Sequence, residues 1–201
     1  MRSRAAARDA TRARIVEAAI RLHTARGILG TSWRDIAEAA DVSTGTVYNH
    51  FPSLDELVPA CGAALMERLD PPSPSDAGPL LDGVIGTAAR IERVARHLFA
   101  FYERGGRHLH VFPGEDELPD VRAWQAELRR TVDTLVRAAV ADLRPSPSAV
   151  GLVGALLDRS TFEAFRDRGI AWRRAAAAVA HAAAIMLEKR DGSIDRRKEQ
   201  R

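Results

Sequence analysis

Apolar residues recur three or four positions apart along most of the chain, and no alternating pattern of useful length interrupts them. This spacing places apolar side chains on one face of an α-helix, so the chain is predicted to be all-α. The stretch 71–79 contains four prolines and is predicted to be a non-helical linker. The predicted helices cover residues 9–26, 32–40, 44–50, 54–69, 80–104, 120–143, 149–168 and 171–190.

Residues 31–58 have the pattern of a helix-turn-helix. Ser32 is a hydroxyl residue that can cap the first helix, Asp41 lies at the turn, and Ser43 caps the second helix. The second helix, 44–50, presents Thr, Gly, Tyr and Asn outward, which suits close approach to base edges and phosphates. Two core helices with a tight corner would produce a similar pattern, so the pattern alone leaves both interpretations open.

Charge is distributed unevenly along the chain. Residues 1–52 contain eight arginines against five acidic residues, a net charge of +3, whereas residues 53–187 carry −2 and residues 188–201 carry +2. A basic N-terminal module beside a mildly acidic body is the electrostatic footprint of a DNA-binding head. We therefore predict a DNA-binding domain over 1–52, a separate domain that does not bind DNA over 53–190, and a polar tail over 191–201 that is expected to be disordered after Asp191. The first eight residues are expected to form a disordered basic arm.

The specific residues of the motif favour the DNA-binding interpretation. The stretch DIAEAADVSTGTVYNHFPSLDELV resembles the N-terminal domain of the TetR family of bacterial transcriptional repressors, whose signature is close to D-I-A-x-x-A-x-V-S-x-G-x-[LV]-Y-x-[HY]-F. The resemblance extends from Ile15 to about Leu65. It implies a three-helix helix-turn-helix head joined to a helical-bundle body.

The resemblance also implies which residues contact DNA. Thr44, Gly45 and Tyr48 match positions that meet base edges, and Thr46, Tyr48 and His50 match positions that usually bind phosphate. The family often has a lysine where this chain has Leu54, so one phosphate contact is expected to be missing. Trp33 is expected to pack in the core. The full predicted set of DNA-binding residues is Ser32, Arg34, Ser43, Thr44, Gly45, Thr46, Tyr48, Asn49 and His50.

The body of the chain has no motif as specific as the head. Residues that are predicted to line a ligand site, although each also suits ordinary core or surface, are His97, Phe101, Tyr102, His108, Trp124, Leu128 and Phe162. By resemblance, the last two helices pair with a second subunit, and the predicted interface residues are Leu152, Leu156, Phe165, Trp172, Val179 and Met186. These residues also suit an intramolecular core. His108 and His110 lack an evident third ligand, so no metal is expected.

Taken with the resemblance, the sequence predicts a cytoplasmic, homodimeric repressor that a small-molecule effector releases from a pseudo-palindromic operator. Two alternatives are an interaction module of the same fold that has lost DNA binding and an all-helical enzyme. The sequence contains no recognisable nucleophile–base arrangement or Gly-rich phosphate loop, so neither catalysis nor a cofactor is predicted. No membrane partner is expected, because no apolar run approaches the roughly 20 residues of a bilayer span. Cys61 is the single cysteine and is expected to be a packed thiol.

Overall fold

A computed structural model describes residues 2–198 of the chain, with side chains described for residues 4–187. The helices are α1 Arg2–Arg26, α2 Trp33–Ala39, α3 Thr44–His50, α4 Leu54–Leu69, α5 Ala77–Leu81, α6 Thr87–Gly105, α7 Pro119–Ala139, α8 Pro147–Leu156, α9 Arg159–Arg166 and α10 Trp172–Lys198. Short 3-10 turns occupy Pro74–Asp76, Gly106–Leu109, Glu115–Glu117 and Ala141–Leu143. Residues 2–198 contain no strand, so the predicted all-α class is confirmed.

The chain folds into two compact units. The first comprises Met1–Pro71 and Gly105–Gln125, and the second comprises Pro72–Arg104 and Ala126–Arg201. Packing alone does not separate DNA-binding from ligand-binding residues. The functional boundary between residues 52 and 53 therefore stays a prediction.

The core of the first unit lies among α1, α2, α3 and α4. Cys61 belongs to this core, and burial raises the pKa of its thiol to about 12, so the group stays protonated at neutral pH. Apolar residues at helical spacing supply the rest, which positions α3 against a rigid support. The members with the least exposure are Ile15, Ala18, Ala19, Ile36, Val47, Phe51 and Leu57.

The segment after α6 returns to this first unit and packs on the end of α1. Glu115 is 3% exposed, and its carboxylate accepts hydrogen bonds from the backbone N–H groups of Ile28 and, at 2.9 Å, Phe112. Gly27 has φ +88°, and a Cβ there would lie 2.7 Å from Glu115 Oε1 and 3.0 Å from Phe112. A side chain at Gly27 is therefore excluded both by conformation and by space.

Two more contacts hold the same segment. His108 Nδ1 lies 2.6 Å from Thr24 Oγ1, which also donates to the carbonyl of Ile20 at 2.7 Å. The indole of Trp124 lies so close to Gly62 that a Cβ there would be 2.0 Å from Trp124 Cζ2. Helix α4 and the start of α7 thus fit together because residue 62 has no side chain.

An aromatic cluster forms part of the core of the second unit. The ring of Phe99 lies 6.1 Å from that of Tyr102 and 5.5 Å from that of Phe162, and the Phe101 and Tyr102 rings are 5.7 Å apart. All four side chains are buried. The Tyr102 hydroxyl donates to the carbonyl of Leu157 at 3.2 Å, which satisfies the only polar group of the cluster.

Two predicted boundaries near the N-terminal half are wrong. Helix α1 begins at Arg2 instead of Asp9, so residues 2–8 are helical and not a disordered arm; alanine and arginine, which dominate this stretch, are strong helix formers. The stretch 71–79 is also partly helical, since Pro79 lies in the first turn of α5, where a missing N–H costs no hydrogen bond.

Other helix ends differ from the prediction for identifiable reasons. Helix α6 begins at Thr87, because Gly83 and Gly86 have φ of +67° and +89°. The helix predicted over 149–168 is two helices, since Asp158 Oδ1 accepts from the Ser160 N–H at 2.9 Å and starts α9. Helix α10 extends to Lys198, so the predicted disorder of the tail is wrong for 191–198; residues 199–201 lie outside the described residues.

Candidate nucleic-acid interface

Helix α2 begins with a reciprocal cap. Ser32 Oγ accepts from the Asp35 N–H at 3.2 Å, and Asp35 Oδ2 accepts from the Ser32 N–H at 3.0 Å and from its hydroxyl at 2.6 Å. These hydrogen bonds lower the pKa of the Asp35 carboxyl, and the Arg26 guanidinium, 2.7 Å from Asp35 Oδ2, lowers it further. The Ser32 hydroxyl therefore has a capping role, and the neighbouring Arg34 is exposed at the start of the helix.

The turn between α2 and α3 is fixed by backbone conformation and by a second cap. Asp41 has φ +53°, the left-handed conformation that reverses the chain, and Val42 packs partly buried against the head core. Ser43 Oγ accepts from the Thr46 N–H at 3.1 Å, and the Ser43 and Thr46 hydroxyl oxygens are 2.8 Å apart. Both predicted caps of the motif, Ser32 and Ser43, are confirmed.

Helix α3 has one buried and one open face. Val47 is fully buried and anchors the helix to the core. Gly45 has room around it, since a Cβ there would meet only Ser43 Oγ at 3.8 Å. Packing does not demand glycine at this position. The wholly or partly exposed residues of the helix include Thr44, Gly45, Thr46, Tyr48, Asn49 and His50.

Tyr48 is held in place by an aromatic contact across the motif. Its side chain is 45% exposed, and its ring lies 5.1 Å from the ring of Trp33 at an interplanar angle of 36°. Trp33 packs partly buried against the head core, as predicted. Sequence reasoning missed its second role as a support for Tyr48, although two aromatic residues on consecutive helices of the motif are the signal for it.

The start of α4 differs from the rest of the motif. Ser53 occupies the N-cap position but makes no side-chain capping hydrogen bond. Leu54 is partly buried and packs against the head core. A lysine at position 54 would lose this apolar contact, so packing of the head provides a reason for leucine here.

The residues predicted to line a ligand site fall in both units. His108 bonds Thr24 and Trp124 packs on Gly62 in the first unit. In the second unit, His97 Nε2 lies 2.9 Å from Asp76 Oδ2. The others there are buried or half-buried, namely Phe101, Tyr102, Phe162 and Leu128. Their role in ligand binding stays a prediction.

The residues predicted for the dimer interface lie on α8, α9 and α10 of the second unit. Leu152 is 45% exposed, and Ile185 on α10 is 39% exposed. Val179 is 4% exposed and packs inside the unit. The remaining residues, each partly exposed, are Leu156, Phe165, Trp172 and Met186. The pairing of these helices with a second subunit stays a prediction.

Two other classes of site, a metal centre and a membrane span, are absent from the described part of the chain. No group of three or more His, Cys, Asp or Glu side chains there is arranged to hold a metal ion. No described helix combines the length and apolar character required to cross a membrane.

Comparison with known proteins identifies the head. Residues 15–61 match the family model described as bacterial regulatory proteins, tetR family. Over 60 residues the chain is 47% identical to the HTH-type transcriptional regulator TtgR of Pseudomonas putida, covering 30% of this chain and 29% of that protein. Over 93 residues it is 34% identical to the HTH-type transcriptional repressor DrrR1 of Streptomyces coeruleorubidus, covering 45% and 31%. The matched part therefore spans less than a third of these curated relatives.

Similarity to solved structures covers much more of the chain. The multidrug binding protein EbrR, in complex with imidazole, is 25% identical with a TM-score of 0.60, covering 86% of this chain and 94% of that one. AmtR of Mycobacterium smegmatis is 25% identical with a TM-score of 0.53, covering 86% and 84%. The family model covers the helices whose caps and open face are described above, and the helical body also has its counterparts in these structures. Residues 15–61 therefore match the TetR family of bacterial regulatory proteins, and most of the chain is similar in fold to these solved structures.

Proposed function

We propose that this protein is a DNA-binding transcriptional regulator that acts as a homodimeric repressor and leaves a pseudo-palindromic operator when a small-molecule effector binds. The observation that carries this proposal is the open face of α3, where Gly45 and Tyr48 are exposed while Val47 anchors the helix. A short helix held rigidly by its buried face and open on the other suits insertion into the major groove.

The proposed contacts divide by chemistry. Thr44 and Tyr48 carry hydroxyls that donate to and accept from base edges, and Gly45 lets the helix backbone approach them closely. We assign phosphate binding to Thr46 and His50, a contact that orients the helix without reading sequence. The caps at Ser32 and Ser43 keep both helices of the motif intact during this contact.

A dimer follows from the small size of the reading element. Helix α3 has seven residues and reaches only a few base pairs, so one head supplies little specificity. A two-fold dimer doubles the contact and predicts half-sites separated by about 34 Å, one turn of DNA, or somewhat more. The relative DrrR1, named a repressor, supports repression as the direction of control.

We place the effector in the second unit, where the aromatic cluster around Tyr102 lies and where His97 pairs with Asp76. The similarity to EbrR, which is described as a multidrug binding protein, supports a small-molecule ligand. A ligand that binds one arrangement of the dimer better than another shifts the population away from the DNA-competent one. Such a regulator works beside the chromosome, in the bacterial cytoplasm.

The function is tested by selecting binding sites from a random duplex pool with the full-length protein. We expect enrichment of a pseudo-palindrome that binds at least about 10³-fold more tightly than a scrambled duplex at the same salt concentration. Recovery of sequences with no common site, or of a site bound no better than the scrambled duplex, would contradict the proposal.

Gly45→Ala tests the assignment of the reading face. We expect the operator affinity to fall about tenfold or more, because the methyl group separates the helix backbone from the base edges, while stability is unchanged or raised by up to about 1 kcal/mol. Fluorescence anisotropy and urea unfolding measure the two effects.

Gly78→Ala is the matched control, since Gly78 is also exposed, also at the second position of a short helix, and also has room for a Cβ. It should leave operator affinity unchanged. Normal DNA binding by Gly45→Ala would show that this face of α3 does not meet the bases.

A further inference from the structure

We infer that the N-terminal turns of α1 and the end of α3 together form a phosphate-binding groove that grips duplex DNA beside the bases read by α3. This inference rests on the proposed function and extends it to residues that the helix-turn-helix itself does not contain. The groove has a volume of about 500 Å³, and its lining residues are Arg4, Ala5, Arg8, Asp9, Arg12 and His50.

Three arginines give the groove its charge. Arg4, Arg8 and Arg12 are four residues apart, so they follow one another along one side of α1 at steps of about 6 Å. All three are exposed. Among the residues whose side chains are described, none of the three guanidinium groups has a carboxylate within ion-pair distance. Asp9 is the one acidic residue of the lining, so the groove keeps a net positive charge.

The base of the groove is fixed to the reading helix. The Arg12 guanidinium carbon lies 4.7 Å from the centre of the Phe51 ring, a cation–π contact. Phe51 is buried and caps the C-terminal end of α3, and His50 is the last residue of that helix. The groove is thus continuous with the helix proposed to enter the major groove, which argues for the same DNA molecule as its occupant.

The dimensions suit a phosphate backbone. Arg4 and Arg12 are separated by about 12 Å along the helix axis, whereas successive phosphates of one strand advance about 3.4 Å along B-DNA. The row therefore reaches about three phosphate steps. Guanidinium groups bind phosphate oxygens through two parallel hydrogen bonds. Because residues 2–8 are already helical, the arginines enter the complex on an ordered support.

The double variant Arg4→Gln/Arg8→Gln tests the groove. Each lost phosphate contact reduces the magnitude of the slope of log affinity against log salt by about 0.9, so we expect a fall of about 1.8 for each bound head, or about 3.6 for a homodimer with both heads on the duplex. The fall should be the same on operator and on scrambled duplex, since phosphate contacts carry no sequence information. Gln preserves helix propensity, and circular dichroism checks that the fold is retained.

The control is Arg14→Gln/Arg129→Gln, which removes the same charge from two exposed residues outside the groove. Its slope should change by less than about 0.5, and Arg4→Lys/Arg8→Lys should keep the original slope. An unchanged slope in the groove variant would overturn the inference. An equal fall in the control would also overturn it, because the slope would then depend on the total positive charge of the protein and not on the groove.

The two proposals fail in different ways. If the protein prefers no sequence but the slope for the groove variant still falls by about 1.8 for each bound head, the repressor proposal fails and the groove is supported. If the protein keeps its operator preference and the slope does not move, the groove is overturned and the repressor proposal stands. A protein that binds no duplex at all overturns both.

Discussion

His23 is the residue whose buried state has the clearest consequence for stability. It lies on the side of α1 that faces the segment containing Glu115, and its Nε2 atom is buried with no hydrogen-bond partner among the described residues. Burial lowers the pKa of the imidazole from 6.5 to about 4, and the negative charge of Glu115 opposes this only in part. The ring is therefore neutral in the native head at neutral pH.

This pKa predicts how stability depends on pH. Between pH 6.5 and about 4, His23 takes up a proton in the unfolded chain and not in the folded one, so stability falls as the pH falls. The loss approaches about 1.4 kcal/mol for each unit of pKa difference. We expect His23→Leu to remove this part of the pH dependence. Urea unfolding at pH 7.5 and pH 5 measures it.

The comparison requires both proteins at both pH values, because other histidines and carboxylates also titrate. The informative quantity is the difference between wild type and His23→Leu in the stability lost on acidification. An identical loss in the two proteins would mean that His23 already accepts a proton in the folded state.

At the scale of elements, the motif helices were predictable because their signals are local. Ser32 and Ser43 cap helices whose first residues follow them directly in the chain. Val47 is the buried apolar residue of α3. A local signal also gave the wrong prediction at α5. The prolines of 71–79 suggested a non-helical linker, although Pro79 lies in the first turn of a helix. Proline position within the turn, not proline count, decides the structure.

Contacts between distant residues could not be predicted in this way. Trp33 and Tyr48 are fifteen positions apart, Arg12 and Phe51 thirty-nine, and Gly62 and Trp124 sixty-two. Hydrophobic spacing shows which face of a helix is buried but not which helix covers it. The supporting contacts of the candidate site therefore became visible only in the folded chain.

Gly62 provides a test of how the start of α7 is held in the first unit. We expect Gly62→Ala to destabilise the protein by about 1–3 kcal/mol, because its Cβ would overlap Trp124 and neither helix backbone yields easily. Gly151→Ala, in a helix and with open space around it, should be neutral or slightly stabilising. Urea unfolding compares the two variants.

A second substitution separates the steric clash from the loss of glycine itself. Adding Trp124→Ala removes the indole, so Gly62→Ala should cost little in that background. Equal costs with and without Trp124 would show that the indole does not decide the residue at position 62.

At the scale of the whole molecule, the large apolar residues exposed on the described helices of the second unit lie on α8 and α10. These exposed residues are Leu152 and Ile185. Leu156 and Met186 on the same two helices are partly exposed. Helices α8 and α10 also contact one another. Paired helices with unburied apolar residues are a feature of subunit interfaces, which agrees with the proposed homodimer.

Leu152→Arg tests this interface against general surface hydrophobicity. Burying an unpaired guanidinium in an apolar contact costs at least about 3 kcal/mol, and a two-fold axis places two copies in one interface, so the dimer constant should weaken by more than 100-fold. Sedimentation equilibrium measures it.

Ile85 is the matched control, since at 91% exposure it is a still more exposed apolar residue, yet it lies in the loop before α6. Ile85→Arg should remain dimeric. A dimeric Leu152→Arg protein would show that the interface lies elsewhere. A monomeric variant that still binds the full palindrome with wild-type affinity would show that operator recognition does not require the dimer.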